Sequence, residues 1–290
     1  MSAPTSAFDL AAVDMDGTLL HDDKTLDSAA PSALAEAVGT GRTVALCTGR
    51  CVSEIRPYLP QLPMVRYAIA EVGALLYDLR EKRVVARHAL PREVIDAVVS
   101  FVCSEDVMVQ GVSAGQAYAT ASMVPRMAAY NMAPYIPLYE QTATLVPRMT
   151  DLLEDPTRTW EKLNLFHRST QARERTRELL GGLPAVESYS EVTSLEVTPL
   201  GIDKGSGIRA LCELLGIDAS RALAIGDSDN DLAAFRDAGM GVAVANASER
   251  ALGAADALPS PCERGSRVPW GLSIACPAGR WCRRPGSIAA

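Results

Sequence analysis

Hydrophobic positions in the first eighty residues form short continuous runs, and a segment with helical spacing lies between two of them. "FDLAAV" (Phe8–Val13) and "TVALCTG" (Thr43–Gly49) read as strands buried on both faces, and Ala30–Val38 between them reads as a helix. A third apolar run follows in "RYAIAEVGALLYD". Strands that alternate with helices at this spacing predict a parallel sheet with helices on its faces.

This pattern changes near residue 81 and returns near residue 191. The intervening residues mix helices and strands, and the stretch from Met123 to Pro147, rich in Met, Tyr and Pro, supports no assignment. Its predicted elements are a hairpin turning at Arg80–Lys82, helices at Pro91–Ser104 and Gln171–Leu180, strands at Val107–Gly111, Gln116–Thr120 and Lys162–Phe166, and a strand pair around Glu191. The alternation then resumes with a helix at Lys204–Leu215, a strand at Ala222–Ile225, a helix at Asp229–Asp237 and a strand at Gly241–Val244.

We therefore expect an α/β protein with a Rossmann-like parallel-sheet core, helices on both faces of the sheet, and an inserted α+β domain. The predicted core comprises residues 1–80 and 191–260, and the insertion comprises residues 81–190. Residues 261–290 form an atypical tail that carries five Arg and three Cys and follows neither period, so we expect it to lack regular structure.

Composition narrows the range of partners. The net charge of -7 and a pI of about 5.1 provide no broad basic surface, so nucleic acid is not an expected partner. No apolar run approaches the roughly 18 residues that span a bilayer, and the N-terminus does not resemble a secretory signal. We expect a cytoplasmic protein that does not enter membranes. The seven Cys show no CxxC spacing, and the sequence does not determine an oligomeric state.

Two carboxylates follow the first predicted strand in "DMDGT". Strand alternation places Asp14 and Asp16 on the same side, and Gly17 allows the chain to turn away. One carboxylate can attack phosphorus when a cation neutralises the repulsion between the two anions, while the other transfers protons. An Asx-type turn or a helix cap would explain the same string without any chemistry.

Two further groups suited to anions lie at a predicted strand end and a predicted helix start. Thr48 and Gly49 come directly after "TVALC", at the end of the second strand, where a hydroxyl and free backbone N–H groups suit phosphoryl oxygens, although a helix cap is equally typical there. Lys204 opens a helix in "GIDKGSG", against the usual preference for acids at that end. A bound phosphate would resolve that conflict, and a solvated surface Lys is the alternative.

The fourth group is the acidic string "GDSDND" after the strand at Ala222–Ile225. Asp227, Asp229 and Asp231 repel one another unless a cation or a helix dipole compensates, and Mg²⁺ prefers carboxylate, water and phosphate oxygens. Helix capping explains part of this string but not Asp227. The string therefore predicts a divalent-metal site.

With these motifs in place, the chain resembles the haloacid dehalogenase superfamily of phosphatases, and in particular its Cof-type branch with a large α/β cap. The resemblance rests on "DMDGTLL", "ALCTGR", "EVTPLGIDKGSGIRALCELLGI" and "AIGDSDNDLAAFRDAGMGVAVANA". It implies that Asp14 is the nucleophile that forms an aspartyl-phosphate and that Asp16 is the general acid/base. The other implied roles are phosphate or substrate binding by Thr48, Gly49, Lys204 and Asn230, Mg²⁺ binding by Asp14, Asp16 (through its backbone carbonyl) and Asp227, and a supporting role for Asp231.

The resemblance implies a Mg²⁺-dependent phosphatase that acts on a small phosphorylated metabolite, with sugar phosphates favoured. Transfer of the phosphoryl group to a sugar hydroxyl, as in a phosphomutase, is one alternative, and a non-catalytic phosphometabolite-binding protein is another. The sequence departs from the family at Val72, where the family usually has Asn before Gly. It also lacks the family's usual final acidic segment and helix.

Overall fold

The computed structural model describes residues 8–102, 105–258 and 282–283, and fifteen strands and nine helices lie in these residues. The strands are β1 (Leu10–Val13), β2 (Thr43–Cys47), β3 (Tyr67–Ala70), β4 (Leu75–Asp78), β5 (Arg83–Arg87), β6 (Met108–Ser113), β7 (Gln116–Thr120), β8 (Thr144–Val146), β9 (Lys162–Phe166), β10 (Ala185–Tyr189), β11 (Ser194–Pro199), β12 (Ala222–Gly226), β13 (Met240–Ala243), β14 (Ala257–Leu258) and β15 (Cys282–Arg283). The helices are α1 (Ala30–Gly39), α2 (Val52–Ile55), α3 (Arg92–Val102), α4 (Ile136–Thr142), α5 (Met149–Glu154), α6 (Thr170–Leu180), α7 (Lys204–Leu215), α8 (Leu232–Asp237) and α9 (Glu249–Ala254).

Nine strands form one sheet in the order β15-β14-β13-β12-β1-β2-β3-β4-β5. The five pairings from β14 to β3 are parallel. The pairings of β4 with β3 and of β15 with β14 are antiparallel. All four residues of β1 are buried, as expected of a central parallel strand covered on both faces. The predicted α/β class with a parallel-sheet core is confirmed. Of the predicted tail, only β15 lies within the described residues, and the prediction for the rest falls outside them.

The other six strands form a second sheet in the order β10-β11-β9-β6-β7-β8. Its pairings are antiparallel except for that of β7 with β8. An apolar cluster on one face joins these strands to α3, α5 and α6, with Trp160 and Leu163 among its buried members. This is the predicted α+β insertion. The unassigned stretch from Met123 to Pro147 consists of two 3-10 turns (Val124–Tyr130 and Ala133–Tyr135), α4 and β8. Mixed short elements of this kind explain why it shows no single period.

The chain divides into two compact units. The first comprises the residues up to 49, residues 58–85 and the residues from 203 onward, and the second comprises residues 50–57 and 86–202. The second unit therefore includes α2, which precedes the main insertion by about thirty residues. The boundaries that we drew from sequence at residues 80 and 190 stay predictions.

None of the helices in the described residues has both the length and the apolar character needed to cross a bilayer. Cys47, Cys51 and Cys212 are buried, and none of the three is part of a disulfide.

A buried carboxylate stabilises the turn between β4 and β5. Asp78 is 1% exposed, its Oδ2 accepts hydrogen bonds from Arg66 at 2.9 and 3.1 Å, and its Oδ1 accepts from the backbone N–H groups of Arg80 and Glu81, each at 3.0 Å. Burial alone would raise the pKa of Asp78, but these hydrogen bonds hold that pKa below its ordinary value.

Replacing this carboxylate tests its contribution. We expect Asp78→Ala to lower the free energy of unfolding by about 2 kcal/mol at pH 7, because two backbone donors lose their acceptor. A lowered pKa stabilises the fold fully above the ordinary Asp value, and this stabilisation is lost as the pH falls through the lowered pKa. Urea unfolding at pH 7 and at about pH 3 should therefore show the difference from wild type shrinking. Asp96→Ala, which removes an exposed ion pair with Arg92, is the control. An undiminished difference at the lower pH would contradict the assignment.

Candidate active site

A buried lysine lies at the centre of the candidate site. Lys204 is 0% exposed, and its Nζ donates hydrogen bonds to Asp14 Oδ1 and to Asp231 Oδ1, each at 2.7 Å. Asp14 and Asp231 are themselves 4% and 2% exposed. An ammonium group at this depth is tolerated only with anionic partners, and the two carboxylates raise the pKa of Lys204 despite its burial. The alternative of a solvated surface Lys is therefore wrong.

Local sequence explains how Lys204 comes to open a helix. Asp203 is the N-cap of α7, where its Oδ1 accepts from Ser206 N–H at 2.7 Å, and Ser206 Oγ lies 3.0 Å from Asp203 N. This capping box fixes the first turn of α7. The unfavourable position of Lys204 at a helix start is offset by the two carboxylates that flank it.

The acidic string after β12 supplies the other side of the site. Asp231 Oδ2 accepts from the backbone N–H groups of Asp227 and Ser228, each at 3.0 Å, which folds the string into a tight turn. Carboxylate oxygens of Asp14, Asp227 and Asp231 all lie within 4.8 Å of one another. Gly17 allows this approach, because a Cβ there would lie 2.2 Å from Asp227 Oδ2. Its φ of +73° also favours glycine at this position.

The charges in this cluster suit a divalent cation. Three carboxylates face one ammonium, so the ionised cluster carries an excess of two negative charges, and Asp227 Oδ1 is buried without a hydrogen-bond partner. Burial, followed by the charge of Asp231, raises the pKa of Asp227 to about 6. Burial is also the main cause that raises the pKa of Asp14, and Lys204 opposes it. The cluster therefore fits Mg²⁺, because carboxylate oxygens are hard ligands and Asp227 Oδ1 is buried without a hydrogen-bond partner.

Asp16 lies beside this cluster but has a different partner. Its Oδ1 forms an ion pair with Lys24 Nζ at 2.8 Å, and both side chains are partly exposed. Asn246 Nδ2 donates to the carbonyl of Gly17 at 2.9 Å, in the turn that follows Asp16. Neither Lys24 nor Asn246 was identified from the sequence. Only the polar residues after β13, in "VANASER", offered a signal for Asn246.

The other predicted site residues occupy separate positions. Thr48 is 1% exposed at the end of β2, and Gly49 follows it. Asn230 is exposed, and its Oδ1 lies 3.0 Å from Ser228 Oγ. The structure thus brings together Asp14, Lys204, Asp227 and Asp231. Asp16 follows β1 as Asp14 does, Thr48 follows the neighbouring strand β2, and Asn230 is exposed at the surface.

Comparison with known proteins gives the same family. A profile of haloacid dehalogenase-like hydrolases matches residues 11–261. YxeH of Bacillus subtilis (strain 168) is 28% identical over 254 residues, which cover 86% of this chain and 92% of YxeH. HMP-PP phosphatase of Enterobacter sp. (strain 638) is 27% identical over 253 residues, which cover 86% of this chain and 89% of the relative. The solved structure of the HAD subclass IIB sugar phosphatase BT4131 aligns with a TM-score of 0.72 at 22% identity, covering 88% of this chain and 95% of that one.

The relatives that match most of this chain are named phosphatases, and this chain is therefore an enzyme of the phosphoric monoester hydrolase class. The chain belongs to the haloacid dehalogenase-like hydrolase family. The predicted resemblance to its Cof-type branch is confirmed, and the alternative of a non-catalytic binding protein is set aside.

Proposed function

We propose that this enzyme is a Mg²⁺-dependent phosphatase that hydrolyses a small phosphomonoester through an aspartyl-phosphate on Asp14. The observation that carries the proposal is the burial of Lys204 between Asp14 and Asp231, with Asp227 beside them. A fold gains little from two buried acids and a half-buried one around one ammonium, since such clusters are often less stable than apolar packing. The presence of these acids and Lys204 at one site is better explained by a reaction on an anionic substrate.

In the proposed reaction, each step is assigned to one side chain. Asp14 Oδ attacks phosphorus as the bond from phosphorus to the leaving oxygen breaks, and Asp16 gives that oxygen its proton. Asp16 then takes a proton from water, which attacks the phosphorus, releases inorganic phosphate and restores the Asp14 carboxylate. Lys204 favours the ionised form of Asp14 and fixes its orientation through the 2.7 Å hydrogen bond.

The remaining roles concern binding. Asp14, Asp227 and the backbone carbonyl of Asp16 would hold Mg²⁺, whose charge would reduce the repulsion between the anionic nucleophile and the phosphoryl group. Thr48, Gly49 and Asn230, together with Lys204 itself, would bind phosphoryl oxygens. Asp231 supports Lys204 and anchors the turn that carries Asp227.

The substrate is proposed as a small phosphorylated metabolite, with sugar phosphates favoured. BT4131 is a sugar phosphatase, which supports that class, whereas another relative is named as an HMP-PP phosphatase. A phosphomutase would use the same nucleophile and would return an isomerised sugar phosphate in place of inorganic phosphate. We propose water as the acceptor, because the relatives named by activity are phosphatases.

The proposal is tested by measuring inorganic phosphate released from a panel of sugar and cofactor phosphates, with Mg²⁺ and with EDTA. We expect release only with Mg²⁺. Asp227→Asn should raise the Mg²⁺ concentration needed for half-maximal rate by at least roughly 10-fold, since one charged ligand is lost. Asp229→Asn, at an exposed acid in the same turn that pairs with Arg250, is the matched control. Full activity in EDTA would contradict the metal requirement, and an isomerised product without phosphate release would favour the mutase.

A further inference from the structure

The connection between β3 and β4 has an unusual backbone. Glu71, Val72 and Gly73 have consecutive positive φ angles of 56°, 59° and 98°. A β-branched residue such as Val72 is rarely found in the left-handed region, because its side chain crowds the backbone. Such conformations persist only where the surrounding structure imposes them, so the contacts of this loop show what imposes this one.

One side of the loop holds Thr48. The Val72 N–H donates to the Thr48 carbonyl at 3.1 Å, and the Thr48 N–H donates to the Ile69 carbonyl at 2.8 Å. Both backbone polar groups of Thr48 are therefore bound by β3 and the loop that follows it. The left-handed turn at Val72 directs its N–H back towards β2.

The other side of the loop packs on the start of α7. A Cβ on Gly73 would lie 2.1 Å from the Asp203 carbonyl oxygen and 3.4 Å from Lys204 N, so only glycine fits. From the helix side, a Cβ on Gly207 would lie 3.2 Å from Gly73 Cα and 2.3 Å from a methyl group of Ile69. The loop and the first turns of α7 thus touch backbone to backbone.

We propose that residues 71–73 form a positioning loop that sets the separation between Thr48 and Lys204. This inference rests on the proposed function, in which both residues bind the phosphoryl group. Val72 and Gly73 are positioning residues, since they act through the backbone of the residues they hold. Contact between backbones leaves little freedom, and a displacement of about 1 Å in a catalytic group can cost roughly 100-fold in rate.

The main test compares two glycines with the same kind of backbone strain. Gly216, at the C-terminal end of α7, has a φ of +66°, but a Cβ there would meet nothing within 4 Å. Gly73→Ala and Gly216→Ala should therefore both lower the melting temperature. Only Gly73→Ala should weaken binding of inorganic phosphate with Mg²⁺ present, measured by calorimetry, and lower kcat/KM for p-nitrophenyl phosphate by roughly 10- to 100-fold.

Two further variants keep the test decisive if Gly73→Ala fails to fold. Gly207→Ala would crowd Ile69 and Gly73 from the α7 side. Because Ala is favoured inside a helix, this variant should weaken phosphate binding without left-handed strain. Val72→Asn should preserve phosphate binding and raise the melting temperature, because Asn tolerates the left-handed region.

Folded Gly73→Ala or Gly207→Ala protein with wild-type phosphate affinity and kcat/KM would overturn the inference and leave the loop a simple connection. A wild-type protein that neither binds phosphate nor turns over any phosphomonoester would instead overturn the proposed function, and this inference with it.

Discussion

Asp14→Asn is expected to lower phosphate release on the best substrate by on the order of 10⁴-fold or more, because the amide can neither attack phosphorus nor form the covalent intermediate. The same substitution should leave the fold intact. Burial opposes ionisation of Asp14 and outweighs the attraction of Lys204, and Asp231 and Asp227 repel its charge, so removing that charge relieves a cost that the folded state bears. A gain in stability with a loss of activity is the usual signature of a catalytic group.

The measurement combines steady-state kinetics with thermal unfolding of the same preparations. Asp96→Asn provides a carboxylate-to-amide control at an exposed helix position, where neither activity nor melting temperature should change. The result that would contradict the assignment is substantial turnover by folded Asp14→Asn protein. In that case another nucleophile, or direct attack by water, would have to carry the reaction.

The second large effect is expected at Lys204. Lys204→Met keeps the length and volume of the side chain but leaves Asp14 and Asp231 buried without their cation. Removing one partner of a buried ionic group typically costs about 3–5 kcal/mol, so we expect a loss of that size in the free energy of unfolding without Mg²⁺. Activity should fall as well, because Asp14 loses the group that favours its ionised form and fixes its orientation.

Two companion variants make this result specific. Lys82→Met replaces an exposed Lys in the turn before β5 and should leave both stability and activity unchanged. The double variant Lys204→Met with Asp231→Asn should recover part of the lost stability, because one uncompensated carboxylate has been removed. If the single and double variants unfold alike, the loss at Lys204 arises from packing and not from charge.

Much of the fold could be predicted because buried parallel strands produce continuous apolar runs. β1, β2 and β12 were all found this way, and the acids directly after β1 and β12 lie at the carboxyl ends of parallel strands, where ligands usually bind. Asp14 and Lys204 are 190 residues apart, so no local pattern could show their contact. Their proximity was implied only by the family resemblance.

Other features have no signal in the sequence. The pairing of Asp16 with Lys24 depends on how the intervening chain folds back, and hydrophobic periodicity does not encode it. The left-handed conformation of Val72 contradicts the preference of a β-branched residue, so propensity predicts the wrong backbone there. The 3-10 turns between Met123 and Pro147 are too short to establish a period.

The second unit of this enzyme is not one continuous piece of chain, and this limits how freely it could be exchanged between relatives. Residues 50–57 contribute Ser53, whose Oγ accepts from Ala117 N–H at 3.2 Å, and Glu54, whose Oε1 accepts from Gln110 at 2.9 Å. Cys51 also packs against Val112. A transplant of residues 86–202 alone would leave these partners behind. Recombination between family members would therefore preserve the second unit only when the short segment after β2 is inherited with it.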